Sequence, residues 1–492
     1  MIKMFTKYAF PSLILLIVVI GFIRGINFLD PDFGWHLREG QLIMQNGIQR
    51  VDPFSYTMPS FPYIDHEWLS NVFMYVTHES LGTIGMSLIF AALFALSLFL
   101  AVPQKYKNFS IIPLLLACST MIGAMGIRPQ VETWTFFALL LKIIFDETLW
   151  KKFKYIIPLI FVVWVNLHGG FAVGIEILFV ILVTKTINDR KLALVELKVF
   201  MLSLFASGLN PYGFNIWKEI WMTVSDTSLR FNIIEWAPSI YRLDISYIIF
   251  VALSLCLLMF YGRRFKLYET AIYFVTLLMA FSSLRNVPLW AIVAVYVLSK
   301  EFYYFNAQLS VHKNNIVRFN KIKSVLFLVF LILFLYTIYQ RLMGTYTINA
   351  YPVKAVEFLQ KQNIEGNIFS DYNQGGYLIW KLPQKKVFID GRMPSWRRSG
   401  NYPGESNYAF DDYLKMLRHE KLFTAELKKY NIQYVLLPKI KPKKQTAVGK
   451  KIISFEKKFL RPSSEALLLS KDLTKIGLTK IYDDSQFIIY KR

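Results

Sequence analysis

Two short acidic clusters are the residues best suited to chemistry. Asp30 and Asp32 lie in the string DPDFGWHLREG, and Asp65, His66 and Glu67 lie in DHEWLS. One such carboxylate can take a proton from a hydroxyl nucleophile, while another positions that nucleophile or a divalent cation (Mg or Mn). His66 suits either role. A second set is cationic: Arg128 before Pro129-Gln130, His168 in NLHGGF, and Arg285 in RNVPLWAI. A guanidinium fork suits a phosphate, and an imidazole can contact a phosphate or a sugar. Each group also has an ordinary structural use. An Asp ahead of a helix caps it, Gly169-Gly170 permit a tight turn, and an arginine at a span end anchors at the interface.

The elements that must position these groups are apolar helices. Of 492 residues, 54% are hydrophobic and 18% charged, well to the apolar side of a soluble protein. Eleven apolar runs occur, at 8–29, 81–102, 109–127, 131–147, 155–168, 170–187, 198–210, 245–262, 268–284, 287–300 and 324–343. Backbone in lipid must be hydrogen-bonded within the segment, so spanning runs are helical. Residues 344–492 have the composition of a soluble domain. The expected fold class is therefore a polytopic α-helical membrane protein, 1–343, with surface helices in an outer loop at 30–80. A small C-terminal α/β extracytoplasmic domain, 344–492, follows.

Loop charge orients the spans. With a cytoplasmic N-terminus, alternate loops carry nineteen Lys and Arg on the inside and seven outside, although the outer loops are longer. That is the bias of an inserted chain. The odd span number leaves residue 344 onward outside, and the plasma (inner) membrane is the expected location. Lysines and arginines in these loops supply part of the net charge of +23, which calls for no nucleic acid. Cys118 and Cys256 lie inside apolar runs and read as core residues. Asp30, Asp32, Asp65, His66, Glu67, Arg128, Glu132, His168, Asn210, Arg285 and Asn286 all fall at outer span ends. Charged groups at such depth usually face a cavity and serve a function.

Local patterns add detail. In DPDFGWHLREGQLIMQNG, Asp30 is the expected N-cap, Pro31 the first helical position and Gly47 the stop. Asp65 is the expected cap of the next helix. The loop 211–244 carries Trp217, Trp221, Glu235 and Trp236, either an interfacial belt or an acceptor groove. Beyond 344, VKAVEFLQKQ and GGYLIWKL read as helices, and NIFSD, KVFID and YVLLP as strands. TKIYDDSQFIIYKR reads as a hairpin turning at Asp483-Asp484-Ser485, and Asp390-Gly391-Arg392 as a turn ending a strand. There is no P-loop, no G-x-G-x-x-G after a strand, no H-E-x-x-H and no G-x-S-x-G.

At the acidic clusters the chain resembles the GT-C membrane glycosyltransferases, such as the lipid A aminoarabinose transferases and the protein mannosyltransferases. Asp32 stands at the first acidic position after the first span, Gly47 follows fifteen residues on, and Asp65-His66-Glu67-Trp68-Leu69 stands at the second patch. The usual Asp-Glu pair is here Asp32-Phe33, preceded by Asp30, so Asp30 competes as the base. The whole chain is also similar to a widespread group of bacterial and archaeal multi-pass proteins. The shared strings include DPDFGWHLREG, DHEWLS, NLHGGF, LNPYG, IIEWAP, RNVPLWAI, DYNQGGYLIW and FIDGR.

The resemblance implies an inverting transfer of a sugar from a polyprenyl-phosphate-linked donor to a glycan, lipid or protein acceptor. Asp32 or Asp30 would be the base, and Asp65, His66 and Glu67 would position the acceptor or a metal. Arg128, Arg285 and His168 would bind the donor phosphate. Block transfer of an oligosaccharide, a lipid-linked sugar transporter or flippase, and a non-catalytic scaffold are the other readings.

Overall fold

In the computed structural model, each of the eleven apolar runs lies on a helix. These helices are Ile2–Asn27, the later part of Trp68–Ala101, Ile111–Met121, Gln130–Phe145, Ile157–Leu167, Phe171–Asp189, Leu194–Ala206, Ile245–Tyr261, Leu267–Ser282, Val287–Ser310 and Ile316–Thr345. Among the described residues, five apolar segments are long enough to cross a bilayer: Tyr8–Asn27, Trp68–Ala101, Phe171–Asp189, Ile245–Arg264 and Ser324–Met343. The structure describes residues 2–242, 244–310, 316–345, 351–439 and 472–492. Lys313 of the last basic cluster and residues 346–350, just past the expected domain boundary, lie outside these.

The chain folds into two units. A helical unit comprises Met1–Leu29, Thr77–Ile220 and Asn232–Ile348, and a mixed unit comprises Asp30–Val76, Trp221–Phe231 and Asn349–Arg492. The mixed unit is therefore assembled from three separate stretches of chain.

In the helical unit, every residue from Val287 to Glu301 is buried. A helix apolar on all sides must be surrounded by protein, and Trp290 packs on the rings of Tyr247, Phe250 and Tyr273. Elsewhere large apolar side chains face outward: Met259 is 79% exposed and Phe260 74%. Such surface is unfavourable in water by about 25 cal/mol per Å², and hydrocarbon is the solvent it suits.

Among the described residues, the mixed unit holds a four-stranded sheet of order β1-β2-β4-β3, with β1 Asn367–Ser370, β2 Ile432–Pro438, β3 Thr479–Asp483 and β4 Phe487–Lys491. β1 and β2 are parallel, and the other pairs are antiparallel. The hairpin turns where Asp484 Oδ1 accepts from the backbone N–H groups of Gln486 and Phe487, both at 2.7 Å. Trp35 and Phe54 share a core with Val356, Tyr377, Leu436 and Ile489. Residues 30–76 thus complete the core of the C-terminal elements.

Two local expectations differ from the structure. KVFID forms no ladder strand. Val387 makes only single bridges to Ser55 and Ile368, because its backbone bonds to Phe54 and Tyr56 at 2.9 and 3.1 Å. The helix after Asp30 begins at Phe33, not at Pro31, with Asp32 in the cap position. Gly47 does end it, at φ 78°. Gly82, at φ 62° and ψ −171°, interrupts Trp68–Ala101, dividing the expected surface helix from the apolar run that follows.

Candidate functional site

The acidic residues gather in the mixed unit. Asp30 is buried, and its Oδ1 accepts from the backbone N–H of Asp32 at 3.0 Å. The Phe33 N–H bonds to the Asp30 carbonyl at 3.0 Å, and the Tyr351 hydroxyl donates to the same oxygen. Asp30 thus holds the turn that presents Asp32. Asp32 is only partly buried, and its side chain makes no cap hydrogen bond to the helix it precedes. Of the two candidate bases, Asp32 is the one that reaches solvent.

Asp65, Asn71, His36 and Glu67 form a buried network beside it in the chain. Asp65 Oδ1 accepts from the Glu67 N–H at 3.0 Å, and its Oδ2 from Asn71 Nδ2 at 2.8 Å. The Asn71 oxygen then faces His36 Nδ1 at 2.6 Å, which assigns the proton to that nitrogen. Glu67 lies 3.9 Å from His36 and 3.5 Å from His66. Burial, reinforced by Glu67, pushes the Asp65 carboxyl up to about 6, against the backbone N–H and His66. Each Asp65 oxygen thus accepts one hydrogen bond. Among the described residues, no group of three or more His, Cys, Asp or Glu is arranged to hold a metal ion.

Glu39 is a residue that the sequence did not single out. It is fully buried, and neither carboxyl oxygen has a hydrogen-bond partner. Burial and the neighbouring Asp65 push it up to about 8, while Arg392 opposes the rise. The available signal was an acid four residues after Trp35, hence on the same buried face of an amphipathic helix.

The cationic residues gather in the helical unit. Arg128 Nη2 donates to Glu235 at 2.8 Å. Burial would raise the Glu235 carboxyl, but the guanidinium groups of Arg128 and Arg285 outweigh it and hold it below the usual range. Gln130, its amide oxygen turned toward Arg285, accepts from Nε and Nη2, both at 3.0 Å. The Glu235 segment is tied down where Ser283 Oγ donates to the Glu235 carbonyl at 3.0 Å and the Leu284 N–H to Ala237 at 2.9 Å.

His168 completes this group. Its Nδ1 lies 2.9 Å from the Gly170 N–H and 2.8 Å from Thr133 Oγ1. A backbone N–H can only donate, so Nδ1 accepts and the neutral ring carries its proton on Nε2. Nε2 lies 3.2 Å from Arg285 Nη2. Two N–H groups cannot bond each other, and side by side they suit one shared anionic acceptor. Arg285 also lies over the Trp236 ring, 5.1 Å from its centroid. Thr133 was not a sequence candidate; Gln130 entered only beside Arg128, and Glu235 only as part of the loop 211–244.

Helices from every apolar run, five of them long enough to cross a bilayer, a small sheet and these two polar groups make up the described fold. No protein-family model and no curated protein matches the chain. Among solved structures, it is similar to the Archaeoglobus fulgidus oligosaccharyltransferase in the apo form (TM-score 0.59, 11% identity, 88% of this chain and 70% of that one). It is also similar to AglB from the same organism in complex with an inhibitory peptide and a dolichol-phosphate (0.60, 11%, 88% and 69%). A third is ArnT from Cupriavidus metallidurans bound to undecaprenyl phosphate (0.51, 12%, 98% and 97%). At such identities the likeness concerns the fold.

Proposed function

We propose that the chain is a membrane glycosyltransferase of GT-C type that moves a sugar from a polyprenyl-phosphate-linked donor to an extracytoplasmic acceptor. Asp32 takes the proton of the acceptor hydroxyl, and the freed oxygen attacks the anomeric carbon. The bond from that carbon to the phosphate oxygen breaks with inversion, and its electrons leave with the polyprenyl phosphate. Arg128, Arg285 and His168 bind the departing phosphate, while Asp65, His66 and Glu67 position the acceptor. The observation that carries this reading is the pair of adjacent N–H donors on His168 and Arg285, 3.2 Å apart. Two similar structures supply the class of anion, one in complex with a dolichol-phosphate and one bound to undecaprenyl phosphate.

The reading includes eleven spans, a cytoplasmic N-terminus and an extracytoplasmic C-terminal segment, which loop charge favours. Single-cysteine labelling at loop positions in intact cells tests it. Reaction of positions 151 or 263 with an impermeant reagent would overturn that orientation.

Lipid-linked sugars extracted from cells lacking the protein serve as donor for the catalytic test. Asp32→Asn should lose turnover while membrane insertion and undecaprenyl phosphate binding persist. Full turnover in that variant would remove Asp32 as base. Block transfer of an oligosaccharide is the second reading, favoured by the higher TM-scores of 0.59 and 0.60 to the oligosaccharyltransferase. Accumulation of lipid-linked oligosaccharide, and not monosaccharide, would select it.

A further inference from the structure

We propose that Gly391 is a positioning residue for Asp32, and that the turn Asp390-Gly391-Arg392 seats the carboxylate of the base. The inference rests on the assignment of Asp32 above. Gly391 is not among the residues with positive φ, so its backbone is open to any L-residue and does not itself call for glycine. The requirement is spatial. A Cβ at position 391 would fall 1.8 Å from Asp32 Oδ1, 2.6 Å from its Cγ and 2.9 Å from Oδ2. The carboxylate occupies the volume that a side chain would need.

The turn beneath it is fixed. The Arg392 backbone N–H and Nε donate to Asp390 Oδ1 at 2.9 and 2.8 Å, and Nη2 donates to Asp390 Oδ2 at 2.7 Å and to Asp52 Oδ1 at 2.9 Å. Both carboxylates are fully buried, and the guanidinium lies 4.7 Å from the Phe54 ring and 5.3 Å from that of Trp396.

The backbone of Asp32 is held on its other side. A Cβ at Gly376 would fall 2.4 Å from the Pro31 carbonyl oxygen, and one at Gly34 would fall 2.3 Å from that of Gly376. Main chain therefore lies directly on main chain at 31–34 and 376. What can still yield is the Asp32 side chain, through its own torsions. An added methyl at 391 displaces the carboxylate and leaves the fold in place. IDGR thus meets the Asp32 carboxylate while QGGY meets the backbone of DPDFG beside it.

The test uses the full-length protein in membranes, with lipid-linked sugars extracted from cells lacking the protein as donor. Gly391→Ala should lower kcat by about 10²-fold, with the donor KM unchanged and the melting temperature near that of the wild type. In an Asp32→Ala background, adding Gly391→Ala should change neither kcat nor melting temperature, because the colliding group is gone. Should Gly391→Ala alone fail to fold, Asp32→Ala restores folding if the seat is real, and a failure to do so overturns it. Wild-type kcat for Gly391→Ala beside an inactive Asp32→Asn overturns the proposal, as does an equal loss of melting temperature in both backgrounds. Full activity of Asp32→Asn overturns the choice of base instead.

Discussion

The acidic group of the mixed unit and the cationic group of the helical unit handle charge in opposite ways. The acids are buried with few countercharges, so Asp65 and Glu39 rise to about 6 and about 8. The arginines keep their charge under any burial, and Glu235 is drawn below its usual range to balance them. In the proposed transfer the acidic region would serve the nucleophile and the cationic region the leaving group.

The sharpest way to break this division is a kinetic split. Asp32→Asn should lower kcat by about 10²–10⁴-fold without weakening donor binding. Arg285→Ala should both raise the donor KM and lower kcat, the latter by about 10²-fold. Identical kcat and KM changes in the two variants would mean that the regions do not divide the work. Next in size, Gly376→Ala places a methyl against the Pro31 carbonyl and should cost about 1–3 kcal/mol of stability. Thermal unfolding in detergent measures it, and an unchanged midpoint would show that the backbone contact gives way easily.

Glu235→Gln removes the anion that balances Arg128 and Arg285, so undecaprenyl phosphate should bind tighter, on the order of 10-fold. Weaker binding in a titration would make Glu235 an organiser of the arginines and not a competitor for them. The smallest effect concerns Glu39. Its folded form keeps a proton that the unfolded chain releases near the ordinary value of 4.5. Stability therefore falls as pH rises from there to about 8, then levels off. Glu39→Gln should raise the melting temperature at pH 8 by about 2–4 °C and leave it unchanged at pH 4. A gain of equal size at both pH values would show that ionisation is not the cause.

What the sequence made legible follows the range of the interactions. Apolar runs became helices because that periodicity and composition act within one segment. The hairpin at Asp484 and the stop at Gly47 are likewise local. The capping of the first surface helix was misplaced by two residues, since Asp30 binds the Asp32 N–H instead of starting a helix at Pro31. KVFID has strand composition, but its backbone partners are Phe54 and Tyr56, more than three hundred residues earlier. Arg128 meets Glu235 across 107 positions, and Arg285 meets His168 across 117. No period in a single sequence reports such pairings. The shared strings were visible as text, yet only coordinates sort them, with NLHGGF, IIEWAP and RNVPLWAI around the cations and DPDFG, QGGY and IDGR around the acid.

The discontinuity of the mixed unit has a consequence for biogenesis. Roughly 270 residues separate Val76 from Asn349, and at about 5–20 residues per second a ribosome needs between about ten seconds and a minute to make them. Throughout that interval the helix Phe33–Asn46 has been synthesised, while the partners of Trp35 and the turn that carries Gly391 have not. Asp32 leaves the ribosome long before Gly391, the residue against which its carboxylate rests. A chain shortened before Asn349 would keep every apolar helix, but its acidic segment would lack the C-terminal residues that share its core.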